Sequence, residues 1–238
     1  EFRREIRAYE LLQSLGVPTL AWKKINEAAI ALEDLNASPS LRLAVIEDMQ
    51  DPDIARQLAR WYKALHEAGS RLSQGELEGL YSEMDYFKKG ELLKIAELTS
   101  STGLPFWQFL DQKFEAVFEK LNALPSTLVY NDFYYVNMAV ARDGKSAFMF
   151  DYNLLGRGLS AMDLQNVLAS LGRNAGEAFL DAYGAVEARE ILASRFICPL
   201  TTMVMALKRP SLPAWFDEEW QKLVSGEIEI AIRDFLET

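Results

Sequence analysis

The sequence is poor in the residues that several common classes of functional site require. Its 238 residues include one cysteine, Cys198, and one histidine, His66. A single cysteine allows no internal disulfide and suits a reducing compartment, and one histidine with one thiol argues against a zinc site. The apolar surroundings of Cys198 indicate a core position, and the place of His66 near a predicted helix end indicates capping or packing.

Other absences exclude further classes of protein. No G-x-S-x-G occurs, which argues against a hydrolase with a nucleophile elbow. No apolar run looks long enough to span a membrane and no secretory leader opens the chain, so we expect a cytoplasmic protein without a membrane partner. The net charge of −10 argues against nucleic acid as a partner and would suit a cationic small substrate.

What the sequence does contain is a set of polar residues at the ends of short predicted strands. Residues 126–130, 138–141 and 146–150 are predicted strands, and Asp143-Gly144 predicts a tight hairpin between the last two. Asp132 and Asn137 then lie on the loop that opens the hairpin, and Asp151 follows its last strand. We therefore expect these three side chains to lie close together at one end of the hairpin.

These side chains suit phosphoryl transfer from a nucleotide. The carboxylate of Asp132 would accept the proton of an attacking hydroxyl. The amide oxygen of Asn137 and the carboxylate of Asp151 would hold Mg²⁺ on the phosphates of ATP or GTP. Three unrelated surface residues are the alternative, which the hairpin and the trailing Phe150-Asp151-Tyr152 disfavour.

The same residues resemble the catalytic region of aminoglycoside phosphotransferase and choline kinase-like enzymes. That family's motif reads roughly H-G-D-x-x-x-x-N, then I-D-W or F-D, then G-x-x-x-x-D-L. The chain has Tyr130-Asn131 in place of His-Gly, and Asn is a residue that tolerates a left-handed backbone. The matching positions are Asp132, Asn137, Phe150-Asp151, Gly158 and Asp163-Leu164, with weaker similarity at residues 58–69 and 178–184.

The resemblance implies an α+β, two-lobed protein kinase-like fold. Residues 1–36 would be the remnant of a truncated N-terminal sheet lobe, consisting of a helix, strands at 19–22 and 28–35, and a hinge. Residues 37–238 would form a large, mainly helical C-terminal lobe that carries the catalytic hairpin. The family's glycine-rich phosphate loop and nucleotide-binding lysine have no counterpart before the first helix, so we expect the chain to be a fragment.

The remaining helices are predicted from apolar periodicity and end signals. Asp51 and Pro52 mark the start of a helix that runs to about Ala68. The other predicted helices span residues 2–15, 82–99, 105–122, 161–171, 175–185, 188–206 and 217–236.

The resemblance also assigns nucleotide and substrate contacts. Glu5 is the choice for the helix glutamate that pairs with the nucleotide-binding lysine, with Glu1 and Glu10 as alternatives. The backbone of a hinge at Glu33, Asp34 and Leu35 would pair with the purine base. Expected substrate contacts are Tyr134, Tyr135, Tyr152 and Asp163, the tyrosines offering faces to a cationic or sugar-like ligand, although such aromatic residues also simply fill loops.

The expected activity is Mg²⁺-dependent transfer of a γ-phosphoryl group from ATP or GTP to an alcohol group of a small molecule. A protein kinase is a poorer fit because only residues 152–159 separate Asp151 from the next predicted helix, with no anchor for a peptide platform. The alternative from another class is a catalytically silent nucleotide-binding or scaffold protein of kinase-like fold. Neither the acceptor nor the oligomeric state follows from the sequence.

Overall fold

The computed structural model describes residues 2–238, except for the side chains of Phe2 and Gln74. The chain forms two compact units, one built from the chain up to Tyr81 with Ser126–Ala185, the other from Ser82–Pro125 with Val186–Thr238. The predicted boundary between residues 1–36 and 37–238 separates the expected kinase lobes and does not follow these compact units. It stays a prediction.

The first unit contains all the strands found in the described residues, in three small antiparallel sheets. Its helices are α1 (Phe2–Leu15), α2 (Pro52–Gly69), α3 (Gln74–Leu77), α6 (Ser160–Ser170) and α7 (Arg173–Tyr183). Its strands are β1 (Trp22–Asn26), β2 (Ala29–Leu32), β3 (Leu41–Leu43), β4 (Thr127–Val129), β5 (Met138–Ala141), β6 (Ala147–Met149) and β7 (Gly156–Gly158). The sheets have the strand orders β1-β2, β3-β5-β6 and β4-β7.

The described residues of the second unit contain helices, turns and loops but no strand. Its helices are α4 (Lys89–Leu98), α5 (Pro105–Asn122), α8 (Ala188–Leu207), α9 (Phe216–Val224) and α10 (Glu227–Glu237). The rings of Phe87, Phe196 and Phe235 are fully buried, and Phe196 lies 6.0 Å from Phe87 and 5.4 Å from Phe235 between ring centroids. Burial of such large apolar side chains is the main driving force for packing these helices.

Helix α8 is the one described helix that is long and apolar enough, by length and composition, to cross a membrane. This differs from the sequence-based expectation that no run is long enough. However, 67% of its apolar window is buried inside the protein, and residues such as Phe196, Leu200 and Met203 belong to the core of the second unit. The helix is therefore apolar on most sides because it packs on most sides.

Most long helices begin and end as predicted. Asp51 caps α2 by accepting from the amides of Asp53 and Ile54, with Pro52 in the first turn. The Asp143-Gly144 turn joins β5 to β6, and Gly144 has a φ of +73° that glycine adopts without strain.

Several predicted elements need correction. The strand expected at 19–22 starts only at Trp22, because the hairpin register pairs Trp22 with Leu32, the last residue of β2. The helix expected over 82–99 is a 3₁₀ segment followed by α4, and the one expected over 217–236 is broken at Gly226, whose φ is +87°. Strands β3 and β7 were not predicted, and β7 is the neighbour of β4 in its sheet.

Candidate active site

The loop between β4 and β5, residues 130–137, is termed the catalytic loop. It leaves a fully buried strand, since Leu128 and Val129 are both 0% exposed, and it enters β5 through a single 3₁₀ turn. Asn131 has a φ of +66°, which turns the chain sharply before Asp132. The sharp turn brings Asp132 out of the strand direction, so its side chain is only partly buried.

Asp151 lies on the second segment of the site, residues 150–155, termed the Asp151 segment. It directly follows β6 and has a φ of +61°, a left-handed conformation that costs a non-glycine residue energy. The Asn153 side chain donates to Asp151 Oδ1 at 2.7 Å. Asn153 was not among the sequence candidates.

Asp132 is in contact with Asn137, and the charge of Asp151 acts on it. The Asn137 Nδ2 atom donates to Asp132 Oδ2 at 3.3 Å, and the main-chain oxygen of Asn137 accepts from the Phe150 amide at 2.8 Å. Burial, and then the negative charge of Asp151, raise the pKa of Asp132 above its ordinary value. The charge of Asp151 therefore acts on the Asp132 carboxyl, which indicates that the two groups are near each other.

The oxygen atoms at this position have the chemistry of a hard divalent cation site. Two carboxylates repel each other there, and the amide of Asn137 adds a neutral oxygen once its nitrogen is turned to Asp132. Mg²⁺ prefers such oxygens and usually shares them with phosphates and water. No group of three His, Cys, Asp or Glu residues that could hold a metal ion occurs in the described residues 2–238.

Asp163 holds the backbone of the catalytic loop. Its side chain is 1% exposed, and its Oδ2 and Oδ1 atoms accept from the amides of Tyr130 at 2.7 Å and Asn131 at 2.8 Å. His66 Nε2 lies 3.0 Å from the same carboxylate. The expectation that Asp163 contacts substrate is corrected accordingly, because both of its oxygens face the protein interior.

His66 connects this carboxylate to helix α7. It is buried, and its Nδ1 lies 2.8 Å from the hydroxyl of Tyr183. The main-chain oxygen of His66 also accepts from the Thr127 hydroxyl at 2.6 Å. His66 therefore packs within a hydrogen-bonded network that supports β4 and the catalytic loop, a connection that sequence spacing does not reveal.

The aromatic candidates divide into a buried and an exposed group. Tyr152 is 0% exposed, donates its hydroxyl to the Met149 oxygen at 2.5 Å, and has its ring 4.8 Å from that of Tyr9. It is part of the core, which corrects its assignment as a substrate contact. Tyr134 is 56% exposed and its ring lies 5.1 Å from that of the partly buried Tyr135, so these two remain available to a ligand.

Glu5 on helix α1 faces the site. Its pKa is raised by burial and then by the charge of Asp151, so the two carboxylates are close enough to interact. Glu10 instead lies 3.6 Å from Lys24 in an ion pair on the exposed side of the same helix. Glu1 lies outside the described residues. Of the described candidates, Glu5 is the one whose pKa responds to the charge of Asp151.

The predicted hinge follows β2. The Glu33 amide donates to the Ala21 oxygen at 2.9 Å, which occupies that donor. The main-chain oxygen of Asp34 accepts from the amides of Ala37 and Ser38, and its side chain accepts from the Asn36 amide. Glu33 and Asp34 therefore build a turn, while Leu35 is 9% exposed at the base of it. These residues stay predictions as nucleotide contacts.

Two acidic segments separated by a β-hairpin, on a helix-rich α+β fold, are the kind of arrangement that holds a nucleotide and its metal ion in kinases. The sequence matches the phosphotransferase enzyme family, APH, over residues 1–196, and the chain belongs to that family. None of the curated proteins compared with it matches significantly.

Solved structures of similar fold include small-molecule kinases. A choline/ethanolamine kinase family protein from Mesorhizobium loti has a TM-score of 0.65 and 15% identity, and the match covers 99% of this chain and 84% of that one. The choline kinase LicA from Streptococcus pneumoniae has a TM-score of 0.61 and 15% identity, covering 95% and 80% of the two chains. The gentamicin complex of APH(2")-IIa has a TM-score of 0.54 and 17% identity, covering 99% and 80%. At these identities the likeness establishes the protein kinase-like fold.

Proposed function

We propose that the protein transfers the γ-phosphoryl group of ATP or GTP to a hydroxyl group of a small molecule. The observation that carries this proposal is the convergence of Asp132, Asn137 and Asp151, with Asp132 coupled to both of the others. Membership of the phosphotransferase family and the solved AMP complex of LicA support a nucleotide as donor.

Asp132 is the proposed catalytic base. The acceptor oxygen forms a bond to the γ-phosphorus while the bond from that phosphorus to the β,γ-bridging oxygen breaks, releasing ADP or GDP. The hydroxyl proton passes to Asp132 Oδ, whose raised pKa makes it a better proton acceptor than an ordinary Asp. Most of the rate would come from positioning and charge neutralisation, since such transfer needs little covalent chemistry from the protein.

Asn137 and Asp151 are the residues proposed to hold Mg²⁺. Their oxygen donors fit this ion, and the amicoumacin kinase hAmiN, a neighbour in fold, has been solved with AMP-PNP and Ca²⁺. When bound, the ion would neutralise charge on the nucleotide phosphates. Asn153 would keep the Asp151 carboxylate oriented through its 2.7 Å hydrogen bond.

The nucleotide contacts are proposed at two further places. Glu5 would bind the lysine that steadies the phosphates, consistent with its position beside Asp151. The hinge at Glu33, Asp34 and Leu35 would read the base through its backbone, and the Leu35 amide is the preferred donor because the Glu33 amide is already engaged. Residues 1–36 and 37–238 would then belong to the two lobes of a kinase.

The acceptor is proposed to be a hydroxyl-bearing small molecule in the cytoplasm. Tyr134 and Tyr135 offer exposed aromatic surface beside Asp132, which would suit a cationic ligand. Neighbours in fold include a choline/ethanolamine kinase family protein and an aminoglycoside phosphotransferase, whose names support a small molecule as acceptor. No role for nucleic acid or membrane is proposed.

The alternative of a catalytically silent protein is tested by turnover. The full-length protein is incubated with Mg²⁺, ATP or GTP and a panel of amino alcohols, aminoglycosides and sugars, and nucleoside diphosphate release is measured. We expect acceptor-dependent release that disappears in Asp132→Ala and persists in Asp181→Ala, an exposed control on α7. Release that is absent with every acceptor, or equal in Asp132→Ala, would contradict the proposal.

A further inference from the structure

Two side chains of the catalytic loop reach across to the Asp151 segment. The Tyr130 hydroxyl donates to the main-chain oxygen of Phe150 at 2.5 Å. The Asn131 Nδ2 atom donates to the main-chain oxygen of Leu154 at 2.9 Å. These two hydrogen bonds are termed the clasp. Their acceptors lie on either side of Asp151, so the clasp holds the segment both before and after this residue.

Tyr130 is placed to fix distances within the site. Its side chain is 0% exposed and its ring packs against Trp61 and Tyr62, so the hydroxyl has little freedom to move. Burial, and then the charge of Asp132, raise the pKa of Tyr130, while a hydrogen bond with Asn137 opposes this. The hydroxyl is therefore neutral at physiological pH and remains a donor close to the catalytic groups.

Asn131 supplies a contact that glycine at the same position lacks. The residue has a φ of +66°, where glycine is free of strain and every side chain except a few short polar ones is costly. The family motif has Gly here, as it has His in place of Tyr130. Asn131 is 9% exposed, and its side chain makes the bond to Leu154 that a glycine could not form.

The Asp151 segment needs such support because of the charge around it. After burial, the negative charge of Asp151 is the second cause that raises the pKa of Asp132 and of Glu5, so the charge of Asp151 opposes each of these carboxylates before a cation binds. Asp151 also has a left-handed backbone with a φ of +61°. The Phe150 amide bonds to Asn137 at the start of the segment and buried Tyr152 anchors its middle, while the clasp adds one hydrogen bond before Asp151 and one after it.

We propose that Tyr130 and Asn131 are positioning residues that set the separation of Asp132 and Asp151 before Mg²⁺ and nucleotide bind. This inference rests on the proposed function for its consequence in catalysis. The clasp would hold the oxygen atoms of Asp132 and Asp151 near each other before any ligand arrives. Less conformational entropy would then be lost when Mg²⁺ and nucleotide bind. The pair Tyr130-Asn131 thus replaces the family's His-Gly with a cross-link between the two acidic segments.

The test uses Tyr130→Phe, Asn131→Gly and the double variant, with Tyr62→Phe as the matched control. Tyr62 is another fully buried tyrosine in contact with Tyr130, but its hydroxyl has no hydrogen-bond partner among the described residues. Hydrogen–deuterium exchange without any ligand is measured first. We expect faster exchange confined to residues 150–156 in the clasp variants and unchanged exchange there in Tyr62→Phe.

The second readout is the affinity for Mg²⁺ with ATP or GTP. Each clasp variant should weaken Mg²⁺-dependent nucleotide binding by about 3- to 10-fold, the range expected for one hydrogen bond, and should lower kcat more than it raises KM for the acceptor. The double variant should lose about the product of the two single effects or more. Wild-type exchange at residues 150–156 in both single variants would overturn the proposal, as would unchanged Mg²⁺-dependent affinity in a variant whose segment has loosened.

The two proposals fail in different ways. If the wild-type protein binds no nucleotide with Mg²⁺, the proposed function fails, and the exchange data then decide alone whether the clasp orders the segment. If wild-type binding is normal and lost in Asp151→Ala while clasp variants bind as wild type, the proposed function stands and the clasp has no positioning role.

Discussion

The catalytic loop and the hairpin of β1 and β2 differ in how firmly the fold holds them. The loop leaves a buried strand, is fixed through two amides by Asp163, and is bonded to the Asp151 segment. The hairpin is largely exposed: Ile25 is 58% exposed and Leu32 is 37% exposed. Its turn into residues 33–38 is held mainly by local main-chain bonds.

The contrast matches two functions proposed for one site, phosphoryl transfer by the catalytic loop and recognition of the base by the hinge. In-line transfer needs reacting atoms held within a fraction of an ångström. This requirement suits a loop that is held by several independent contacts. Recognition of a base through a backbone needs only one or two open main-chain groups. We therefore expect substitutions in the catalytic loop to have large effects and those in the hinge to have small ones.

The largest effect is expected from Asp132→Ala. Removing the proposed base should lower kcat by about 10²- to 10⁴-fold, the usual contribution of general base catalysis. Nucleotide affinity should change little, because the proposed metal ligands Asn137 and Asp151 remain. Steady-state kinetics together with equilibrium nucleotide binding measures both quantities. Near-normal turnover in this variant would remove Asp132 from the mechanism.

Asp163→Ala should cause the largest loss of stability. It leaves the buried amides of Tyr130 and Asn131 and the ring of His66 without their acceptor, and breaking such buried charged contacts costs about 3–5 kcal/mol. Urea unfolding of this variant and of the exposed control Asp181→Ala compares the two. A loss below about 1 kcal/mol, the level typical of ordinary substitutions, would show that the loop is held by other contacts.

An intermediate effect is expected from Asp132→Asn on the pH dependence of stability. Since the pKa of Asp132 is raised in the folded protein, the folded state binds more protons than the unfolded state between its ordinary pKa of about 3.9 and the raised value. The free energy of unfolding therefore falls as pH rises through that window. Asp132→Asn should be more stable than wild type at pH 7.

The difference in the free energy of unfolding between the wild type and Asp132→Asn should vanish at acid pH. Below a pH of about 3.9 the carboxyl is protonated in both states of the wild type, so the stabilisation of Asp132→Asn should disappear. Thermal unfolding across this pH range provides the measurement. A gain that is the same at acid and neutral pH would show that it does not come from the cost of ionising the Asp132 carboxyl, to which burial and then the charge of Asp151 contribute.

The smallest effect is expected from Glu33→Gln in the hinge. The side chain of Glu33 is partly exposed and makes no hydrogen bond or ion pair among the described residues, while the backbone is unchanged. Nucleotide affinity and stability should stay within about 2-fold and 0.5 kcal/mol of the wild type. Titration calorimetry with ATP and GTP measures the nucleotide affinity. A loss of affinity above 10-fold would assign the base contact to the side chain.

The sequence predicted the long helices and the acidic residues of the site because these leave local signals. Asp51 and Pro52 define the start of α2, and Asp143-Gly144 defines the hairpin turn. Strands β3 and β7 leave no such signal, since three residues such as Gly156–Gly158 have low strand propensity and pair only because β4 lies beside them. Close approach of Gly156 to the Tyr81 backbone is likewise a tertiary property.

The roles of individual side chains were harder to predict than the motif itself. Asp163 and Tyr152 fit the pattern of substrate contacts in sequence, yet they are 1% and 0% exposed. Whether a polar residue faces solvent or the interior depends on neighbours far away in sequence, such as His66 for Asp163. Asn131 shows the same limit, because its partner Leu154 becomes a neighbour only after folding.

The central claim is that these acidic residues form a metal-dependent nucleotide site, and thermal unfolding tests it most directly. The full-length wild-type protein and Asp151→Ala are heated with ATP or GTP, each with and without Mg²⁺. A ligand that binds only the folded state at a hundredfold excess over its dissociation constant stabilises it by about 2.7 kcal/mol. We predict a rise in Tm with at least one nucleotide that needs Mg²⁺ and is lost in Asp151→Ala. No rise with either nucleotide, or a rise that survives the substitution, would contradict the account.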